Sequence, residues 1–182
     1  MPLTKIKSLG ITDGTITSAD LAAGVGAGKF ESALLHVRDE KANGTDGGTN
    51  INGSPSTFEP RTLNTVMTNE ISGASLASNK ITLPAGTYFI YARVPAFNVD
   101  RHKTKLRNTT DSSDTLIGSN SYVSGSSIQV DSWIIGRFTI AGTKEFQIHY
   151  RNQTVSTNTG LGLGHTYGVL EVYTDVQIWK VA

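Results

Sequence analysis

The sequence predicts an all-β chain folded as a β-sandwich. Three observations carry this. Eight or more segments alternate apolar and polar residues with the period of a strand, and stretches rich in Gly, Asn, Ser and Thr separate them. No convincing helical periodicity follows residue 30. At 182 residues the chain is long enough for one well-filled core with a short extension, which sets the expected division at residues 1–28 and 29–182.

The elements follow in chain order. Residues 1–28 carry small residues and spaced isoleucines and leucines, with no aromatic before Phe30. Ser18 or Asp20 suits the cap of a short helical turn over Leu21 to Ala23, which glycines 24, 26 and 28 stop. This stretch cannot bury a core alone, so it is either disordered or ordered against copies of itself. Phe30 to Arg38 reads as the first core strand, with Leu34 and His36 on one side and Leu35 and Val37 on the other. A long turn-rich loop spans Asn43 to Pro60, followed by a short strand over Arg61 to Val66 and a turn at Ile71 to Gly73.

The segment from Ile81 to Val94 is the most informative. Ile81 and Leu83, then Tyr88, Ile90, Ala92 and Val94 beyond the Pro84 to Gly86 bend, share one side; Phe89, Tyr91 and Arg93 share the other. A strand that spends aromatics on both sides needs a second sheet on one face and a partner subunit on the other. Further strands are expected at Thr104 to Arg107, Thr115 to Ile117 and Ile128 to Ile140, the last interrupted near Trp133. Ala141 to Thr143 reads as a hairpin turn into Lys144 to Arg151, where Phe146, Ile148 and Tyr150 alternate with polar residues. After a loop over residues 152–168 the chain closes with a strand in which Leu170, Val172, Val176 and Ile178 oppose Tyr173 and Trp179.

Composition narrows function. A formal net charge of +1 gives no field that would draw the chain to nucleic acid or an anionic membrane. Cysteine is absent, which removes disulfides and a thiolate nucleophile. The opening MPLTKIKSLG has none of the parts of a signal peptide, and no run is long enough to span a bilayer. Release in an assembled particle or by lysis is therefore expected.

Chemical motifs are weak. None of His36, His102, His149 and His165 stands in metal-ligand spacing, and Asp111, Asp114 and Asp131, or Asp39 and Asp46, lack the regular spacing of a calcium loop. There is no GxSxG, and the GLGLG at 160–164 lacks the Lys-Ser or Lys-Thr of a phosphate loop, so it reads as a flexible loop. No catalytic, cofactor-binding or metal-binding residue is assigned. The densest charge feature is Arg101, His102, Lys103, Lys105 and Arg107; on a strand Lys103, Lys105 and Arg107 line one side, able to meet an anionic sugar or simply to protect a sheet edge. Among Tyr122, Trp133, Tyr150, Tyr167, Tyr173 and Trp179, which are the ring platforms available to a sugar, Tyr122 and Tyr167 lie in loop-like sequence and are the best placed for exposure. Core or trimer contacts are expected from Tyr91, Phe97, Tyr150, Tyr173 and Trp179. Glycan contact is expected from the loops Asn43 to Ser56 and Val155 to Tyr167.

From Phe58 to Ala182 the chain resembles structural proteins of tailed bacteriophages. The residues that carry the likeness are Leu83 to Tyr88 (LPAGTY), Pro95 to Phe97, His102 with Leu106, Asn108, Thr110 and Asp111, Ile117 to Ser119, and the closing VQIWKV at 176–181. The resemblance implies a jelly-roll head of the complement and tumour necrosis factor kind, ten strands in two sheets, assembled as a homotrimer. Residues 14–26, GTITSADLAAGVG, are similar to segments that precede such heads, where three chains wind together. It also implies a virion protein, made in the host cytoplasm, docked on another phage protein through its N-terminal segment and touching host-surface polysaccharide. The expected role is a non-enzymatic tail fibre head; the alternative is a capsid fibre or decoration protein, since the N-terminal segment is far shorter than a whole long fibre.

Overall fold

The computed structural model describes residues 33–50, 57–125 and 127–181. The expectations for residues 1–28, and with them the domain boundary at 28, lie outside the described residues.

Among the described residues eleven strands form two antiparallel sheets. They are β1 (Ala33–Lys41), β2 (Glu59–Pro60), β3 (Thr65–Asn69), β4 (Ser75–Ala77), β5 (Lys80–Leu83), β6 (Gly86–Phe97), β7 (Arg101–Asn108), β8 (Ser113–Tyr122), β9 (Gln129–Ile140), β10 (Lys144–Asn152) and β11 (Glu171–Lys180). One sheet has the order β3-β1-β11-β6-β9; the other runs β4-β5-β10-β7-β8, with β2 also on β10. No two neighbours in the first sheet are consecutive in sequence, because the chain repeatedly crosses from one sheet to the other. Each crossing lets a strand with one apolar side bury it against the opposite layer.

The core lies between the layers. Leu35 and Val37 of β1, Tyr88, Ile90, Ala92 and Val94 of β6, Ile134 of β9 and Val176 and Ile178 of β11 meet Ile81, Leu83, Leu106, Phe146 and Ile148 of the second sheet. Each large aliphatic or aromatic side chain buried there contributes about 2–3 kcal/mol. Tyr88 stacks on Phe138 at 5.5 Å, and Phe138 meets Phe146 of the other sheet at 5.4 Å. The Tyr88 hydroxyl donates back to the Pro84 carbonyl at 2.7 Å, which fixes the bend between β5 and β6.

Several expected elements differ. Arg61 to Val66 is not one strand: β2 ends at Pro60, β3 starts at Thr65, and Arg61 is fully buried between them. Its Nε donates to the Thr174 hydroxyl and its Nη2 to the Leu161 carbonyl, both at 2.8 Å, while its guanidinium lies 5.4 Å from the Tyr150 ring centre. β9 runs through Trp133 without a break. In β11 the expected alternation fails, since Tyr173 and Thr174 are both buried, next to the register shift between Arg38 and Glu40 on β1. This bulge turns Tyr173 inward while leaving Trp179 on the outer side.

Candidate functional site

Most of the residues that carry the sequence resemblance are framework residues, the exposed Ile117 excepted. His102 is buried, its Nε2 3.0 Å from the Val94 carbonyl and its Nδ1 2.6 Å from Asn152 Oδ1. Burial outweighs these hydrogen bonds and pushes its pKa down to about 4. Neutral imidazole has one N–H, which the Val94 carbonyl must receive. A half-turn of the Asn152 amide brings its nitrogen, otherwise buried without a partner, to the free Nδ1. Leu106 is core. Asn108 accepts the Asp111 amide through Oδ1 and donates to the Asp111 carboxylate, both at 2.9 Å, shaping the β7 to β8 turn. Ser119 binds β9, its hydroxyl accepting the Trp133 amide at 2.9 Å and its carbonyl accepting from Ser132 at 2.7 Å. The motif therefore encodes corners and crossings rather than chemistry.

Two surface features remain after the framework is accounted for. The first is the outer face of the five-stranded sheet. Strand register places Leu34, Trp179, Phe89 and Arg137 in one cross-strand row, His36, Gln177, Tyr91 and Ile135 in the next, and Arg38, Asp175, Arg93 and Trp133 in a third. Phe89 is 36 % exposed, Tyr91 39 % and Ile135 54 %. Phe89 meets Trp179 with ring centres 6.1 Å apart, and Tyr91 meets Trp133 at 5.3 Å. A hollow of about 340 Å³ lies among Tyr91, Arg93, Trp133, Asp175 and Gln177. His36 is 3.1 Å from the Asp175 carboxylate, and Arg93 is 3.9 Å from Asp131, so polar and charged groups sit beside the rings.

Of the residues expected in the core or at a trimer contact, Tyr91 and Trp179 lie on this face. Tyr150 and Tyr173 are 2 % exposed and belong to the protomer interior, Tyr173 donating to the Thr45 carbonyl at 2.6 Å. Phe97 is half-buried at the end of β6, opposite Gln129. Phe89 and Ile135 were not singled out as contacts; their parity with Tyr91 and Trp133 is the signal that finds them.

The second feature is the outer face of the other sheet. Lys103, Lys105 and Arg107 share it, and much of their charge is met locally. Lys105 and Arg107 both bind Asp114, at 3.0 and 2.9 Å, and Lys103 donates to Asn120 at 2.7 Å. Burial raises the Asp114 pKa, but hydrogen bonds from Lys105 and Arg107 outweigh it and leave the carboxyl below its usual range. Lys105 also lies 4.3 Å from the Phe58 ring centre. At the other end of β7 a cleft of about 1100 Å³ opens among Phe58, Arg101, Lys103, Asn120, Tyr122 and Arg151. Tyr122 is 64 % exposed at its rim. Tyr167 lies elsewhere, 81 % exposed on the loop before β11, its ring 5.7 Å from that of His165.

The loops expected to be mobile or glycan-facing are pinned where they are described. Asn50 accepts the Ser156 amide at 2.7 Å and donates to the Thr154 carbonyl at 2.7 Å. Glu171 accepts amides from Gly44, His165 and Thr166 at 2.9 to 3.1 Å. The Gly44 amide leads the causes that hold its carboxyl below the usual range. GLGLG is packed rather than free, with Leu161 tied to Arg61 and Gly162 against the Tyr173 ring. Of the acidic residues considered for calcium, Asp111 meets Lys144 at 2.6 Å, Asp114 is bound as above, Asp46 accepts the Gly164 amide at 2.9 Å and Asp131 lies 3.9 Å from Arg93, whereas Asp39 is buried with neither carboxylate oxygen hydrogen-bonded among the described residues. Among the described residues no group of three or more His, Asp or Glu is placed to hold a metal, and no helix is long and apolar enough to cross a membrane.

No family model and no curated protein sequence matches the chain. Solved structures do. The globular domain of zebrafish complement 1qA superposes with a TM-score of 0.51 at 12 % identity, covering 82 % of this chain and 98 % of that one. Murine APRIL at pH 5.0 gives 0.52 at 9 % identity, and at pH 8.5 gives 0.51 at 12 %, each covering 82 % of this chain and 99 % of the other. The chain has the all-β jelly-roll fold of the complement and tumour necrosis factor kind. At these identities the likeness fixes the layers and connections and leaves the surface chemistry to this sequence.

Proposed function

We propose that this chain is a non-enzymatic virion protein of a tailed phage, a homotrimeric fibre head that adheres to host-surface glycan. The observation that carries the reading is the aromatic outer face of the five-stranded sheet. Phe89, Tyr91, Trp133, Ile135 and Trp179 gather on one flat face, which in an isolated protomer spends hydrophobic area on water. Three-fold closure covers such a face and leaves no open surface for further growth. The hollow beside Arg93 receives a side chain from the neighbouring copy, and the polar and charged groups around it set the orientation.

The phage assignment rests on the LPAGTY-to-Ser119 succession of motifs and on the N-terminal GTITSADLAAGVG, which serves as the docking segment toward another virion protein. Molar mass by light scattering tests the assembly: the trimer has three times the 19.4 kDa chain mass, and a monomer at micromolar concentration overturns it. Imaging purified virions with a label at the N-terminus tests the location. Signal at the tail tip supports the adhesive fibre head; signal over the capsid replaces it with a capsid fibre or decoration protein.

A further inference from the structure

We infer that the cleft at the Arg101 and Tyr122 end of the six-stranded sheet binds an acidic glycan, one bearing carboxylate or phosphate. This deepens the adhesive reading above and rests on it. Two adjacent cross-strand rows build the floor. Arg151, Lys103 and Asn120 are paired across β10, β7 and β8, and Arg101 pairs with Tyr122 one step further on, where the Gln153 amide donates to the Arg101 carbonyl at 2.9 Å. With strands about 4.8 Å apart and same-face residues about 7 Å apart, the floor is about 10 Å by about 7 Å, the scale of a short saccharide.

The chemistry is complementary to an anion on a sugar. Arg101, Lys103 and Arg151 line the cleft, and none of its lining residues is acidic. Among the described residues no hydrogen bond or ion pair holds the exposed Arg101 guanidinium, which leaves its planar donor fork free for a carboxylate or phosphate. Asp100, its neighbour, already accepts from the Thr154 hydroxyl. Contrast the far end of the same strand, where Asp114 neutralises Lys105 and Arg107. Tyr122 and Phe58 supply rings for the apolar side of a sugar, and Asn120 and Gln153 supply amides for hydroxyls.

Position supports the assignment. The cleft lies on β7, β8 and β10, the sheet opposite the one that carries the aromatic face, so closure of three copies through that face leaves the cleft open. Aromatic and cationic groups then recur three times per head, and weak sites add through multivalency.

The test uses the full chain and three immobilised probes: oligogalacturonate, a glycerol phosphate oligomer and neutral dextran. Expected is binding to one or both acidic probes and none to dextran, with about a tenfold loss of affinity in Arg101→Glu and in Tyr122→Ala, and retention in Lys144→Glu, a charge reversal at the far end of β10. Whichever acidic probe binds identifies the anion. Equal loss in Lys144→Glu with no effect of Tyr122→Ala means diffuse charge attraction and overturns the cleft. Binding to any probe that neither cleft variant weakens also overturns the cleft but leaves glycan adhesion standing. If no probe binds, the cleft assignment falls, and capture of whole virions by host cells then decides adhesion separately.

Discussion

Acidification should destabilise this fold through His102, by an amount the structure sets. The imidazole is buried, with a pKa lowered from 6.5 to about 4 chiefly by desolvation. At pH 7 the residue is neutral whether folded or unfolded, so the full stability is present. Between pH 6.5 and 4 the unfolded chain takes up a proton that the folded chain refuses, and stability falls by about 1.4 kcal/mol per pH unit. Across the whole window the loss is about 3 kcal/mol, a large share of the 5–15 kcal/mol typical of a domain. Other groups titrate too. His149 is lowered by burial and acts in the same direction; Asp111, Asp114 and Glu171 are lowered and lose their contributions below the usual carboxylate range. Asp39 is raised by burial and acts in the opposite direction.

A comparison with His102→Gln removes these common contributions. Urea unfolding of both proteins at pH 7.0, 6.0, 5.0 and 4.5, at one fixed protomer concentration because association adds to stability, gives the difference directly. The variant is less stable at pH 7, and the gap narrows by about 2 kcal/mol by pH 5. A gap that stays constant within about 0.5 kcal/mol would refute the neutral, buried assignment of His102.

Three further outcomes follow from named contacts. Tyr91→Asp and Ile135→Asp place charge on the aromatic face and should convert the proposed trimer to a folded monomer in light scattering, with the β-sheet circular dichroism unchanged; an intact trimer in both places the subunit contact elsewhere. Arg61→Met removes a buried guanidinium that bonds Thr174 and Leu161 and, second to Lys41, offsets the charge of the buried Asp39; it should cost about 3–5 kcal/mol in chemical denaturation, part of it recovered by adding Asp39→Leu. A loss below about 1 kcal/mol for Arg61→Met would mean that the buried guanidinium carries no such role. Gly162→Ala adds a methyl 2.2 Å from the Tyr173 ring at a φ of +136°, and calorimetry should record a Tm lower by roughly 5–15 °C.

How much of the site was legible in sequence depended on range. Tyr91 and Trp179 were expected in the core or at a subunit contact because each is an aromatic on the side of its strand opposite the aliphatic run, which is a local signal. Phe89 and Ile135 join them only through the pairing of β6 with β9. Tyr173 shows the converse. Its parity with Trp179 predicts a shared face, and the bulge in β11 separates them, because one extra residue flips every side chain beyond it. The basic run on β7 was visible as charge, yet its two ends differ: Asp114 comes back across the β7 to β8 hairpin to neutralise Lys105 and Arg107, and among the described residues nothing equivalent reaches Arg101.

By itself the sequence determined the layers. Period-two alternation, turn-forming loops and the absence of helical periodicity are local, and burial of one side of each strand leaves a sandwich as the stable result. Tertiary structure decided which surfaces matter. The aromatic rows, the Arg101 cleft and the buried Arg61 are each assembled from strands far apart in the chain, by sheet order and register. Those depend on how the two inner faces fit together, a condition on the whole core that no single segment contains.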